Sequence, residues 1–222
     1  MPTSRHERFL RQSGYRVIAG VDEVGRGALF GPVFAAAVVL NPDRPIRGLD
    51  DSKKLTPERR EVLARRIQER ASAWAVGAAT AFEIDHHNIL EASRMAMARA
   101  VNRLAVACDY LLVDAIRIDL DIPQRGLIRG DSRSFSIAAA SIVAKVARDQ
   151  AMRQWDQIFP GYGLGSNKGY SAPEHLAGLR RTGPTALHRF SFAPVREARG
   201  GDWAGYPIGV ELPEQGALFA CP

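Results

Sequence analysis

Four acids in this 222-residue chain sit where side chains gather for chemistry. Asp22 and Glu23 close an apolar, β-branched stretch, Asp114 ends the run Tyr110-Leu111-Leu112-Val113, and Asp131 precedes a helical segment with one polar stripe. None has a His or Cys companion at ligand spacing. An all-oxygen set of carboxylates suits a hard cation, magnesium or manganese, rather than zinc or copper. Two such ions bridged by carboxylates can activate a water and stabilise the leaving oxygen of a phosphodiester in an in-line displacement. Taken singly, each acid is equally at home as a turn or cap residue, and spacing alone does not bring the four together.

Directly after the acid pair comes the turn Gly25-Arg26-Gly27. Glycines there let the backbone approach a ligand, while the amides and the Arg can meet phosphate or hydroxyl oxygens. A dinucleotide-binding reading fails on context. The glycines fall at 25, 27 and 31, and Pro32 leads into another strand instead of the helix that would receive a pyrophosphate. Further along, Ser141, Lys145, Arg148 and Asp149 share one face of a helix otherwise made of Ala, Ile and Val. Ser141, Lys145 and Arg148, with Lys53 and Lys168, are candidate substrate contacts. The lysines and the arginine would position a duplex through its phosphates without reading its sequence.

The elements that carry these residues follow from local pattern. Tyr15 to Val24 and Val33 to Leu40 read as two strands joined by the glycine-rich turn. Thr56-Pro57-Glu58 starts a helix that runs to about Ser72. Trp74 to Thr80 reads as a third strand, Ile84 to Ala107 as one long helix, and Tyr110 to Val113 as a buried strand suited to parallel pairing. Phe135 to Trp155 forms the striped helix, and Ser171 with Glu174 has capping-box spacing for another. Neighbouring strand residues face opposite sides, so regular pleating admits only one of Asp22 and Glu23 to a common site. Glu23 is therefore expected at the strand's frayed end, or to contribute its carbonyl.

The balance of 30 Lys and Arg against 24 Asp and Glu gives a net charge of +6, compatible with a phosphate-bearing partner. Two cysteines far apart, Cys108 and Cys221, indicate neither a disulfide framework nor a thiolate zinc site. The first twelve residues lack the apolar core of a signal peptide, and the longest apolar run, Val33 to Leu40, is too short to span a bilayer. A cytoplasmic, monomeric enzyme with no membrane association is expected. One main domain suits the length, with residues 1–198 as the catalytic unit and 199–222 as a loosely attached, Gly- and Pro-rich tail.

The blocks GVDEVGRGALFGPV, DDSKKL, LLVDA, GDSRSFSIAAASIVAKVARD and NKGYSAPEH occur in the order in which ribonuclease HII proteins carry closely similar ones. The resemblance spans roughly Val17 to Pro194. It implies an α/β, ribonuclease H-like fold: a mixed five-stranded sheet flanked by helices, with a short helical C-terminal extension. It also implies a metal-dependent endoribonuclease that cuts RNA in RNA/DNA hybrids and at single ribonucleotides in duplex DNA, using two magnesium or manganese ions. Matched motif by motif, the family's catalytic and metal-binding quartet falls on Asp22, Glu23, Asp114 and Asp131. The family's 2′-hydroxyl reader falls on Gly25, Arg26 and Gly27, and its junction-sensing tyrosine on Tyr170. This chain departs from the usual pattern at Val24, Ala115 and Asn167, where alanine, glycine and histidine are common. A binding protein on the same fold that has lost catalysis is the alternative, and the four acids argue against it. In the tail, Gln215, Leu218 and Phe219 form a Gln-x-x-Leu-Phe peptide resembling those that dock on sliding clamps.

Overall fold

The computed structural model describes residues 2–200. Five strands, β1 Ile18–Val24, β2 Val33–Val39, β3 Ala73–Ala79, β4 Tyr110–Asp114 and β5 Gln124–Leu127, form one sheet in the order β3-β2-β1-β4-β5. The β1–β2 and β2–β3 pairs are antiparallel, whereas β1–β4 and β4–β5 are parallel, so the sheet is mixed as expected. Among the described residues eight α-helices accompany it: α1 Arg5–Gln12, α2 Pro57–Arg70, α3 Ala81–His87, α4 Ile89–Asn102, α5 Phe135–Ile158, α6 Leu164–Asn167, α7 Pro173–Thr182 and α8 Ala193–Ala198.

Alternation along the strands splits the core. Ala19, Val21, Ala35 and Ala37 pack under Ala96, Met97 and Ala100 of α4. Ala36 and Val38 meet Leu63 and Ile67 of α2 and the alanines of α5 on the other face. Small residues bring α5 unusually close. A Cβ on Gly20 would lie 2.0 Å from the Ser136 carbonyl carbon, so only glycine admits the first turn of α5 against β1. A third cluster, with Phe30, Trp155, Leu179, Phe190 and Val195, ties α7 and α8 to the end of α5.

Three local expectations are corrected. The helix read as Ile84 to Ala107 is two helices, broken at Asn88, which takes φ 78° and caps α4 by accepting from the Leu90 and Glu91 amides. The capping box lies at Thr80 and Glu83, not at Ser171 and Glu174. Helix α7 starts on Pro173 after Ala172, and Glu174 instead accepts a hydrogen bond from Ser166. Finally, the polar stripe of α5, expected to offer substrate contacts, is covered: Ser141, Arg148 and Asp149 are buried. No described helix is long and apolar enough to cross a membrane.

Candidate active site at the ends of β1 and β4

Asp22 and Asp114 occupy adjacent positions at the C-terminal ends of two parallel strands, just past the last pair, Val21 and Val113. Both fall on the α5 side of the sheet, two residues beyond Gly20 and Leu112, which pack on that side. Glu23 belongs to the opposite face by parity, yet its carboxylate joins them: one oxygen from each of Asp22, Glu23 and Asp114 lies within 4.8 Å of the others. The strand is not frayed there, because Glu23 still pairs with Ala35 on β2. β4 has ended on the other side, which leaves the longer Glu side chain room to reach round the strand. It is through its carboxylate that Glu23 joins the other two acids.

Asp131 stands outside this trio. It lies on the short 3-10 turn Gly130–Ser132 ahead of α5, near enough to Asp114 and Asp51 for their charges to raise its pKa after burial. The cluster is held from several sides. The Gly130 amide donates to Asp114 Oδ1 at 2.6 Å and the Glu23 amide to Asp22 Oδ1 at 2.8 Å. Ser141 stands within hydrogen-bond reach of Asp22 and of Ser52 Oγ, at 2.8 Å from the latter. Ser141 is thus a buried support for an acid rather than an open substrate contact. Asp51, which caps the turn Ser52–Lys54 through the Lys53 amide, is an acid that the sequence reading passed over.

Burial raises the pKa of Asp22 well above the ordinary carboxylate range, and the charges of Glu23 and Asp114 add to it. Burial likewise raises Glu23, with Asp114 adding and Arg26 opposing. Asp114 is raised by burial too, against the Gly130 hydrogen bond and the charge of Lys53. Glu23 Oε2 is buried with no hydrogen-bond partner. Carboxylates that crowd together, resist ionisation and leave an oxygen unpartnered fit a divalent cation, which would relieve all three conditions.

The turn Gly25-Arg26-Gly27 borders the trio, with Arg26 Nη1 3.4 Å from Glu23 Oε1. Beneath it lies Arg148, completely buried, whose Nε would be 2.2 Å from a Cβ on Gly25. Arg148 donates to the carbonyls of Lys168 (2.8 Å) and Phe30 (3.4 Å), and its guanidinium lies 5.3 Å from the Tyr170 ring centre. Buried and bonded in this way, it braces two loops and is not open to a phosphate. Lys145 is likewise drawn inward, to Asp149 Oδ1 at 2.7 Å. Lys168 bonds the Gly165 carbonyl. Lys53 is exposed, and its charge lowers the pKa of both Asp114 and Asp131.

Sequence reasoning missed other braces. Arg189, also fully buried, donates to the carbonyls of Gly31 (2.9 Å) and Arg26 (2.8 Å), and burial pushes its pKa down to about 9. The Leu29 amide bonds the Gly169 carbonyl at 2.7 Å, joining the glycine turn to the Tyr170 loop. His175 contacts the Tyr170 carbonyl through Nδ1 (2.9 Å) and His188 through Nε2 (3.1 Å). Asn167 donates to the Tyr162 carbonyl and accepts from the Gly169 amide, which gives this departure from the histidine pattern a structural use. Gln215, Leu218 and Phe219 lie outside the described residues.

A family model described as Ribonuclease HII matches residues 19–195. The chain belongs to the ribonuclease HII family. A ribonuclease HII of Solibacter usitatus is 64% identical over 190 residues, covering 86% of this chain and 83% of that one. The crystal structure of ribonuclease H2 from Pyrococcus horikoshii superposes with a TM-score of 0.69 at 26% identity, over 82% of this chain and 97% of the other. Ribonuclease HII of Archaeoglobus fulgidus, solved in complex with PCNA, gives 0.66 at 25% identity, over 80% and 96%. Ribonuclease HII proteins are endoribonucleases, and membership makes this chain a ribonuclease H acting on RNA/DNA substrates with divalent-metal dependence.

Proposed function

We propose that the chain cuts RNA in hybrids and also at single ribonucleotides embedded in duplex DNA, leaving 5′-phosphate and 3′-hydroxyl ends. Residues 1–198 form the catalytic unit in this reading. The observation that carries it is the meeting of three carboxylates within 4.8 Å beside a glycine turn whose arginine reaches one of them, Glu23. Two bound magnesium or manganese ions would neutralise the acids, activate the attacking water and stabilise the leaving oxygen. Asp22, Glu23, Asp114 and Asp131 would hold them. Ser141 orients Asp22, and the Gly130 amide fixes Asp114.

Gly25, Arg26 and Gly27 present amides and a guanidinium to the 2′-hydroxyl, the group that separates RNA from DNA at a given position. Tyr170, 37% exposed, offers its ring to the sugar beyond the ribonucleotide. Lys53 serves as a phosphate contact beside the acids. The protein works as a cytoplasmic monomer, and Gln215, Leu218 and Phe219 dock on a sliding clamp, a role supported by the A. fulgidus relative solved with PCNA.

Duplexes containing one ribonucleotide, an RNA run or DNA alone, each incubated with magnesium, manganese or a chelator, test the reading. Cleavage of the first two with either metal, and of none with chelator, is expected. Sparing of the single-ribonucleotide duplex would remove that activity, and cleavage in chelator would remove the metal-based account.

A further inference from the structure

A basic groove of about 530 Å³ lies where α1, β5 and the turn ahead of α5 meet, and it belongs to none of the roles above. Its lining comes from three separate segments: Arg5, His6 and Phe9 of α1, Arg125 of the edge strand β5, and Ser132 and Arg133 after Asp131. Asp131, Ser132 and Arg133 are consecutive, so two lining residues follow directly along the chain from Asp131.

Three guanidiniums converging without acids on the lining repel one another, so their convergence needs an anchor. Glu7 supplies it. This carboxylate is buried and accepts through Oε1 from Ser134 Oγ (2.6 Å), the Ser136 amide (2.9 Å) and Ser136 Oγ (2.8 Å), fastening α1 to the start of α5. Arg5, Arg125 and Arg133 themselves form no ion pair among the described residues. Their field is felt locally: the pKa of His6 is lowered first by burial and then by Arg133, with Glu7 opposing and Arg125 and Arg5 adding. Phe9, 61% exposed, lays an aromatic ring at the edge of the same groove.

We propose that this groove binds the sugar-phosphate backbone of the substrate duplex away from the scissile bond, as a second anchoring site reached from the Asp131 turn. The inference rests on the nuclease reading above. Unpaired arginines match phosphodiester oxygens in charge and in paired-donor geometry, and an exposed aromatic ring suits a sugar or terminal base between them. Each phosphate so neutralised releases counterions, so the groove should contribute steeply salt-dependent, sequence-independent affinity.

The test is fluorescence anisotropy of labelled RNA/DNA hybrid in chelator across a potassium chloride series. It compares wild type with Arg5→Ala/Arg125→Ala/Arg133→Ala, with the corresponding triple Lys variant, and with the single variant Arg125→Glu. The triple Ala variant should bind roughly tenfold or more weakly, with a log–log salt slope shallower by about 2 to 3, while the triple Lys variant keeps most of the slope. Arg125→Glu should weaken binding on its own, which guards against misfolding of the triple variant. Affinity and slope equal to wild type in the Ala and Glu variants would overturn the proposal. Wild-type cleavage of hybrid, measured alongside with magnesium, separates this failure from failure of the nuclease reading.

Discussion

Two walls flank the glycine turn, and they are built on opposite electrostatic logic. At the ends of β1 and β4, carboxylates are crowded together, raised in pKa by burial and by one another, and left with an unpartnered oxygen. Across the glycine turn, two buried arginines, Arg148 and Arg189, cross-link loops through backbone carbonyls, each keeping one nitrogen without a partner. The first wall crowds charge that protonation or a bound cation would relieve, which suits it to hold a metal ion. The second fixes geometry, so its residues act through the loops they hold. Strong perturbation marks both, but only the first is chemically open.

Substitution separates the walls, beginning with the largest effect. Asp114→Asn removes a cation-binding charge and should lower single-turnover cleavage by about a thousandfold or more with duplex affinity little changed. Cleavage within tenfold of wild type would move the chemistry elsewhere. Arg189→Met leaves the Gly31 and Arg26 carbonyls without their donor and should destabilise by about 2–4 kcal/mol while impairing cleavage. Urea unfolding measures it, and an unchanged midpoint would deny the bracing role. Tyr170→Ala should reduce cutting at a lone ribonucleotide several-fold more than cutting within continuous RNA, a difference of about 1 kcal/mol for lost stacking. Equal losses would reassign the ring to packing. The smallest effect is at Ala115, which takes φ 55°, a left-handed backbone conformation that favours glycine. Ala115→Gly should stabilise by about 0.5–1 kcal/mol in calorimetry, and destabilisation would show that the methyl packs usefully.

Strand ends made Asp22 and Asp114 visible as candidates in the sequence, but it was the family resemblance, not spacing, that grouped them. Apolar runs that stop at Asp22 and Asp114 mark strands and place their acids together once the strands pair in parallel. Glu23 was misjudged because alternation describes a strand paired on both sides, and β1 outruns β4 there. Asp51 was hidden in a turn whose proximity to Asp131 is purely tertiary. On the other wall, the i, i+4, i+7 spacing on α5 correctly placed Ser141, Lys145 and Arg148 on one face, but could not say what covers that face. Arg148 looked like a phosphate contact because burial comes from loops 20 and 118 residues away, at Lys168 and Phe30. The strand β5 escaped notice because an edge strand reading Gln-Arg-Gly-Leu buries only Leu127.

The central claim is that the carboxylate trio is a cation site whose charges oppose folding until they are neutralised. Thermal melting of wild type and Asp22→Asn, with and without manganese, as a function of pH, tests it most directly. The native pKa of Asp22 is raised above its ordinary 3.8, so the native state holds more protons than the unfolded chain from about that pH up to the native pKa. Its contribution to stability therefore falls as pH rises through that window. Without metal, Asp22→Asn should melt a few degrees above wild type at pH 7, the shift that about 1 kcal/mol gives a chain of this size, and the gap should close near pH 3.8. Manganese should raise the wild-type melting temperature and leave the variant nearly unmoved. A variant that melts below wild type at pH 7 without metal, or that gains as much from manganese, would contradict the account.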